Sequence, residues 1–349
     1  MKIAPVAFSS IVWLACSEAP RAPGSAQPSS SMLAPAPPAP PASIGAASAS
    51  AFASAAPVEP PSFPPPPGAP AGGPKIAGDG EWTPVPVSWW DPSPIVKTVV
   101  HPPGGSNVYV AAFDYAKIEF GLVAGYVEPE QAVVPPGHRL SLIPKESVDR
   151  VLAITNGGFK RKHGQHGFKI GDDVYIPPKD VDCTVAVTKS GELRIGTWTR
   201  LAPREAELAW YRQAGPCLVE DGVKTKDAAA PFDGWKYGTS MEGGKDVRRS
   251  AYAMSKDGRV LYFAIGDVVD PNALADALVA LHVEAACQFD INFSFTRLVV
   301  FDRDDKGEPV GSSPLMKGLV FAPEEGWKTP AQRDFFYMVR KPIAPDAPR

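Results

Sequence analysis

RRSAYAMSKDGRVLYFAIGDVVDPNALADALVALH, residues 248–282, carries two structural signals in succession. Its first part is apolar on both sides of Asp257-Gly258. An Asp-Gly pair between apolar runs is the strongest short signal for a β-hairpin, because both residues tolerate positive φ. The second part changes period. Asp270 is a natural N-cap, and Pro271 suits the first helical position. Leu274, Leu278 and Leu281 then recur at helical spacing, giving one apolar face to lay on a sheet. Beyond them, 287–290 and TRLVVF (296–301) return to β-favouring residues. A strand–helix–strand run among hairpins predicts an α+β fold. The expectation is a single domain with a mixed, hairpin-rich sheet packed by a few helices.

Flanking segments extend this pattern. NVYVAAFD (107–114) and AKIEFGLVAG (116–125) read as strands, with Tyr115 at their junction. VDCTVAVTKSGELRIGTW (181–198) reads as a hairpin with strands 183–188 and 193–198 and a Ser190-Gly191 turn. The domain is expected over 81–349. Residues 17–80 are rich in Ala, Pro, Ser and Gly. They carry too few large apolar side chains to offset the entropy of ordering, so they read as a disordered tether.

Residues 1–16 have the layout of a bacterial export signal: Lys2, an apolar stretch over 3–15, and Cys16 after Leu14-Ala15. The arrangement resembles a lipoprotein signal, in which Cys16 would be acylated. Trp13 departs from the usual aliphatic residue, which keeps ordinary signal-peptidase cleavage open. The expectation is an exported, membrane-anchored lipoprotein of the cell envelope, touching the membrane through its lipid anchor alone. The net charge of −3, with no basic stripe interleaved with aromatics, argues against nucleic acid as a partner. Cys183, Cys217 and Cys287 remain. Two of them could pair in an exported protein, or all three could be buried thiols.

Four stretches occur in a telling order: VLAITNGGF (151–159), QAGPCLVEDG (213–222), the 248–267 hairpin, and CQFDINFSFTRLVV (287–300) after the helix. This order resembles the phosphodiester glycosidase family. The resemblance covers roughly 95–305. It implies hydrolysis of a sugar-1-phosphate diester or an envelope glycan. Asn156, Gly157 and Gly158 would match the family's Asn-Gly-Gly-Phe segment, and Arg249 its Arg-x-Ala. Asp290 and Asn292 would fall in its Asp-Gly-Gly-Gly-Ser type loop. Lys160 stands where the family has a second aromatic, and Ile291 and Phe293 replace glycines of the last loop.

Such chemistry needs a carboxyl group for proton transfer and donors for phosphate oxygens. Asp290, at the end of an apolar strand, is the candidate acid, base or nucleophile; a plain turn aspartate is the competing reading. Asn156 would offer its amide, with Gly157 and Gly158 opening backbone N–H groups beside it; a strand-ending turn competes. Arg249 would hold phosphate, or be a surface arginine. KRKHGQHG (160–167, through Gly167) supplies His163 as a second proton carrier, or is a solvated basic loop. His163 and His166 lack an evident third metal ligand. No cofactor is therefore implied, and a divalent metal is left open. The SWW segment (88–90) with Trp82 would cap the core or stack on sugar. An enzyme predicts that Asp290, Asn156 and Arg249 converge on an open pocket. A catalytically inactive member, binding glycan or protein, predicts that Ile291 or Phe293 fills it.

Overall fold

Val, Ile, Tyr and Phe concentrate in short runs separated by Gly, Asp and Pro, and strands form at those runs. The computed structural model describes residues 63–73, 76–104, 106–130, 134, 139–239, 243–319 and 322–342. The export segment, Cys16 and the tether up to residue 62 lie outside the described residues. In chain order the first strands are β1 (Thr83–Pro84), β2 (Ile95–Val100), β3 (Val108–Asp114), β4 (Ile118–Val123), β5 (Val151–Asn156) and β6 (Phe168–Ile170). Next come β7 (Asp173–Ile176), β8 (Cys183–Thr188), β9 (Leu193–Thr197), β10 (Leu208–Gln213), β11 (Val219–Glu220) and β12 (Val223–Lys224). The last are β13 (Val247–Met254), β14 (Val260–Val269), β15 (Ala285–Ile291), β16 (Leu298–Arg303), β17 (Pro309–Ser312) and β18 (Phe335–Arg340). The helices are α1 (Trp198–Leu201), α2 (Lys226–Ala229), α3 (Gly234–Tyr237) and α4 (Pro271–Ala280).

The strands make three sheets, with orders β1-β2-β3-β14-β13-β15-β11-β12, β7-β6-β10-β8-β9 and β17-β16-β5-β18-β4. Every pairing between them is antiparallel. The expected single mixed sheet is thereby corrected. Short turns can join only antiparallel neighbours, and α4, ten residues long, makes a helical crossover between two strands of the first sheet. That crossover carries β14 past β13 to β15, so the two strands it joins never pair. The fold is mostly sheet with few helices.

The deciding hairpin forms as read. β13 pairs with β14, and Gly258 takes φ 68° at the turn. The Asp270 side chain accepts from Ala273 N at 2.8 Å, and Leu274 and Leu278 are fully buried. β8 pairs with β9, Cys183 opposite Thr197. The strands at 107–125 also form, but not as neighbours. Both edges of β3 are taken, by β2 and β14, so β4 joins a different sheet beside β18.

The core lies where the three sheets meet. Tyr252 and Phe289 from the first sheet interlock with Phe120 and Phe336 from the third, ring centroids 4.9–5.7 Å apart. Trp210 of the second packs 5.2 Å from Phe120. Trp90 is buried in this core, in line with a capping role. A second core on the far face of the first sheet is closed by α4, with Trp82 and Phe63 at its margin. There the chain straps itself down before β1. Gly68 N donates to Gly80 O at 3.0 Å, Ala69 N to Ala280 O at 2.7 Å, and Trp82 Nε1 to Pro66 O at 3.0 Å. The boundary expected at 80/81 falls inside this docked stretch.

Cys183 and Cys217 form a disulfide with Cα atoms 4.6 Å apart, and Cys287 is a buried free thiol. The bond ties β8 of the second sheet to the segment entering β11 of the first. Closing a loop of sequence separation 34 stabilises by about 3–4 kcal/mol on chain-entropy grounds. Cys183→Ala is expected to lower the denaturant midpoint accordingly, and wild type under strong reductant should match it. Superimposable curves for oxidised and reduced protein would remove the bond's stabilising role.

Candidate functional site

β5 ends in Asn156, and the two glycines after it decide what stands beside the strand. The Asn156 amide is consumed within the protein. Its Nδ2 donates to Ser250 Oγ at 2.8 Å and to Gly157 O at 2.9 Å, and its Oδ1 accepts from Arg297 N at 3.1 Å. A Cβ on Gly157 would lie 2.2 Å from Asp334 O, and one on Gly158 would lie 2.6 Å from the Arg212 guanidinium. Glycine is needed here for space. That space is filled by a buried ion pair, Arg212 Nε to Asp334 Oδ2 at 2.9 Å. Gly158 N donates to the same carboxylate oxygen at 2.9 Å. The Arg212 nitrogens also reach the carbonyls of Phe159, His166 and Gln213. The glycines thus make room for an internal salt bridge, and the expectation that they open backbone N–H groups to a ligand is corrected for Gly158.

Arg249 is corrected as well. It is neither at the surface nor in a ligand cleft; its exposure is 0%. Its guanidinium donates to the carbonyls of Val269, Tyr237, Gly238 and Lys245 and to Gln288 Oε1. Burial pushes its pKa down to about 10, and the negative charges of Asp270 and Asp246 oppose that shift. Every nitrogen is engaged in holding backbone, so no donor remains for phosphate.

Asp290, next to last in β15, is 4% exposed where two clefts adjoin. The larger, about 720 Å³, is rimmed by Lys160, Lys162, His163, Trp235, Lys236 and Asn292, with Ile291 in its wall. The smaller, about 490 Å³, includes Asn156, Gly157, Arg297 and Glu325. Asp290, Arg333 and Phe295 line both. Arg333 Nη2 lies 2.5 Å from Asp290 Oδ2 and 2.7 Å from Gly158 O, and its guanidinium sits 4.5 Å over the Phe295 ring. Asp290 Oδ1 accepts from Ile291 N at 2.8 Å.

Burial pushes the Asp290 carboxyl up to about 6. Arg333 and the Ile291 N–H pull it down, and nearby Asp334 adds to the rise. Burial wins because taking the charged form from water costs more than one partly exposed partner returns. A carboxyl of this kind exchanges protons near neutrality. His163 stands exposed on the rim. Partial burial, then Lys162, Lys160 and Arg333, lowers its pKa against a contribution from Glu128. His166 is buried, its Nδ1 2.6 Å from Asp182 Oδ2, and it lines the same cleft. Asn292 takes φ 83°, a left-handed conformation that Asn tolerates better than most residues. Phe293 turns outward, its ring under the Arg248 guanidinium at 4.5 Å. It lines neither cleft, so both remain open. Among the described residues no group of His, Cys, Asp and Glu could hold a metal ion.

Comparison with known proteins bears on the fold alone. No protein-family profile matches the chain, and no curated protein does. Solved structures resemble it distantly. The catalytic domain of zebrafish N-acetylglucosamine-1-phosphodiester alpha-N-acetylglucosaminidase, auto-inhibited by its pro-peptide, aligns at 12% identity and a TM-score of 0.42. That alignment covers 71% of this chain and 82% of that one. A hypothetical protein from Synechocystis aligns at 13% identity and a TM-score of 0.46, over 74% of this chain and 64% of that one. At these values the likeness is one of distant architecture and carries no residue across.

Of the residues singled out from the sequence, Asp290, His163 and Asn292 share the larger cleft, and Asn156 and Gly157 line the smaller. Gly158 and Arg249 serve the scaffold. Sequence reading missed Arg333, Asp334, Arg212 and Trp235. Arg333-Asp334 immediately precede β18, whose apolar run FFYMV was a usable signal for a strand end. No spacing in the sequence ties them to Asp290.

Proposed function

We propose that this protein is an exported glycosidase-type hydrolase acting on a sugar phosphodiester or anionic envelope glycan. The supporting observation is Asp290, a buried carboxyl with a raised pKa, set beneath a cleft rimmed by Lys160, Lys162, Lys236 and Arg333. The cations attract the phosphate. Arg333 exchanges its contact with Asp290 for one with the substrate anion. Asp290, then protonated, gives its proton to the phosphate oxygen as the bond from that oxygen to the anomeric carbon breaks. Water adds to the anomeric carbon, and its surplus proton passes to solvent by way of His163. Asn292 holds the sugar at the left-handed corner of the loop. The test is sugar release from a panel of sugar-1-phosphodiesters by wild type and by Asp290→Asn.

A non-catalytic binder is the second reading, favoured by the Arg333–Asp290 ion pair, which masks the carboxyl. Binding without turnover across the panel would establish it over the first. We further propose that Cys16 anchors the protein to the envelope through a lipid. Incorporation of a fatty-acid label that Cys16→Ala abolishes is expected; an unlabelled mature wild-type protein would refute the anchor.

A further inference from the structure

Trp235 stands 97% exposed on the rim of the larger cleft. Leaving an indole in water forgoes the burial of one of the largest apolar surfaces a side chain offers. Single exposed apolar residues are common, so exposure alone decides nothing. Position and support decide here.

The turn that carries Trp235 is held firmly from below. Asp233 caps α3, its side chain accepting from Trp235 N at 2.9 Å. The Tyr237 carbonyl accepts from Arg249 Nη1 at 2.7 Å and from Gln288 Nε2 at 2.8 Å. Gly215 lets the turn approach so closely that a Cβ there would meet Lys236 O at 1.9 Å. The buried guanidinium that sequence reading assigned to a ligand is instead the anchor of this turn. A rigid backbone presenting a free aromatic face is a preorganised contact, since little ordering entropy remains to be lost on binding. The same cleft holds Lys160, Lys162, Lys236 and Arg333, together with Asp290. A flat apolar plane beside several cations fits a molecule with one C–H-lined face and a negative charge next to it.

We propose that Trp235 is a stacking platform for a pyranose ring whose anionic substituent reaches the lysines and Arg333. This deepens the glycan reading of the cleft and rests on it. It makes the ligand a charged sugar and gives Trp235 the recognition of its ring. A nucleobase also offers a face to stack, and the choice of ligands separates the two sources.

The probes are N-acetylglucosamine 1-phosphate, uridine monophosphate and inorganic phosphate. The readouts are calorimetric affinity and the fluorescence difference between wild type and Trp235→Ala, which isolates the emission of this indole. N-acetylglucosamine 1-phosphate is expected to shift that difference saturably. Its affinity should fall roughly tenfold in Trp235→Ala and recover in Trp235→Tyr. Inorganic phosphate should bind both proteins alike. A response to uridine monophosphate alone would overturn the pyranose assignment. Equal affinity of wild type and Trp235→Ala, or no binding of any probe by wild type, would overturn the platform. Loss of affinity in Trp235→Ala without any hydrolysis by wild type would keep the platform and refute the hydrolase. Hydrolysis by both proteins with equal KM would do the reverse.

Discussion

Asp334→Ala is expected to destabilise the protein by about 3–5 kcal/mol. The Asp334 carboxylate is buried against Arg212 Nε and Gly158 N, both at 2.9 Å. Removing it strands a guanidinium with side-chain exposure of 2%. A buried charge without its partner costs more than the pair contributed, because desolvation remains after the attraction is gone. Gly157→Ala should act at the same place by another route, since its Cβ would drive against the Asp334 backbone. Replacing both charges together, as Arg212→Met with Asp334→Leu, should recover part of the loss. Denaturant unfolding of the four proteins measures this. A loss below about 1 kcal/mol for Asp334→Ala would mean that the pair is solvated and the glycines have another reason.

Asp290→Asn is expected to lower sugar-phosphodiester turnover by roughly 10²–10⁴-fold, the range for a lost general acid. The same substitution should raise stability, and the sign follows from its titration. The folded value of about 6 exceeds the ordinary 3.8. The native state therefore binds this proton more tightly than the unfolded chain does. The stability so gained is complete below about pH 4 and lost as pH rises through about 6. Its full size is about 2–3 kcal/mol. Asparagine never ionises, so the variant should match wild type near pH 4. It should melt several degrees higher above pH 7. Thermal unfolding against pH, paired with turnover, tests both halves. A variant no more stable at pH 8 would show that Arg333 fully compensates the buried charge. Turnover equal to wild type would end the acid role of Asp290.

Local chemistry made much of the fold legible. The Asp257-Gly258 turn, the Asp270-Pro271 helix start and the Ser190-Gly191 turn within 183–198 are each short local signals, and the elements they mark formed. Sheet membership was not legible in this way. Whether β4 stays beside β3 depends on who occupies the edges of β3, and those occupants come from residues 95–100 and 260–269. The site divides along the same line. Asp290 stood out because a carboxylate closes an apolar strand. Its partner Arg333 did not, because a distance of forty-three positions leaves no periodic trace. Arg249 misled for a physical reason. A guanidinium that grips phosphate and one that gathers backbone carbonyls are the same residue in a sequence, and burial alone separates them.

The strap ahead of β1 sets how the domain would carry a load. A pull on the chain upstream of Phe63 meets the Pro66, Gly68 and Ala69 contacts before it reaches any strand. Two of those bonds end near Gly80 and Trp82, and the third at Ala280, the last residue of α4. Tension is thus delivered to the face of the first sheet that α4 covers, at residues that line neither of the Asp290 clefts. The strap would then act as a strain relief, its three hydrogen bonds yielding ahead of the strand ladders of the three sheets.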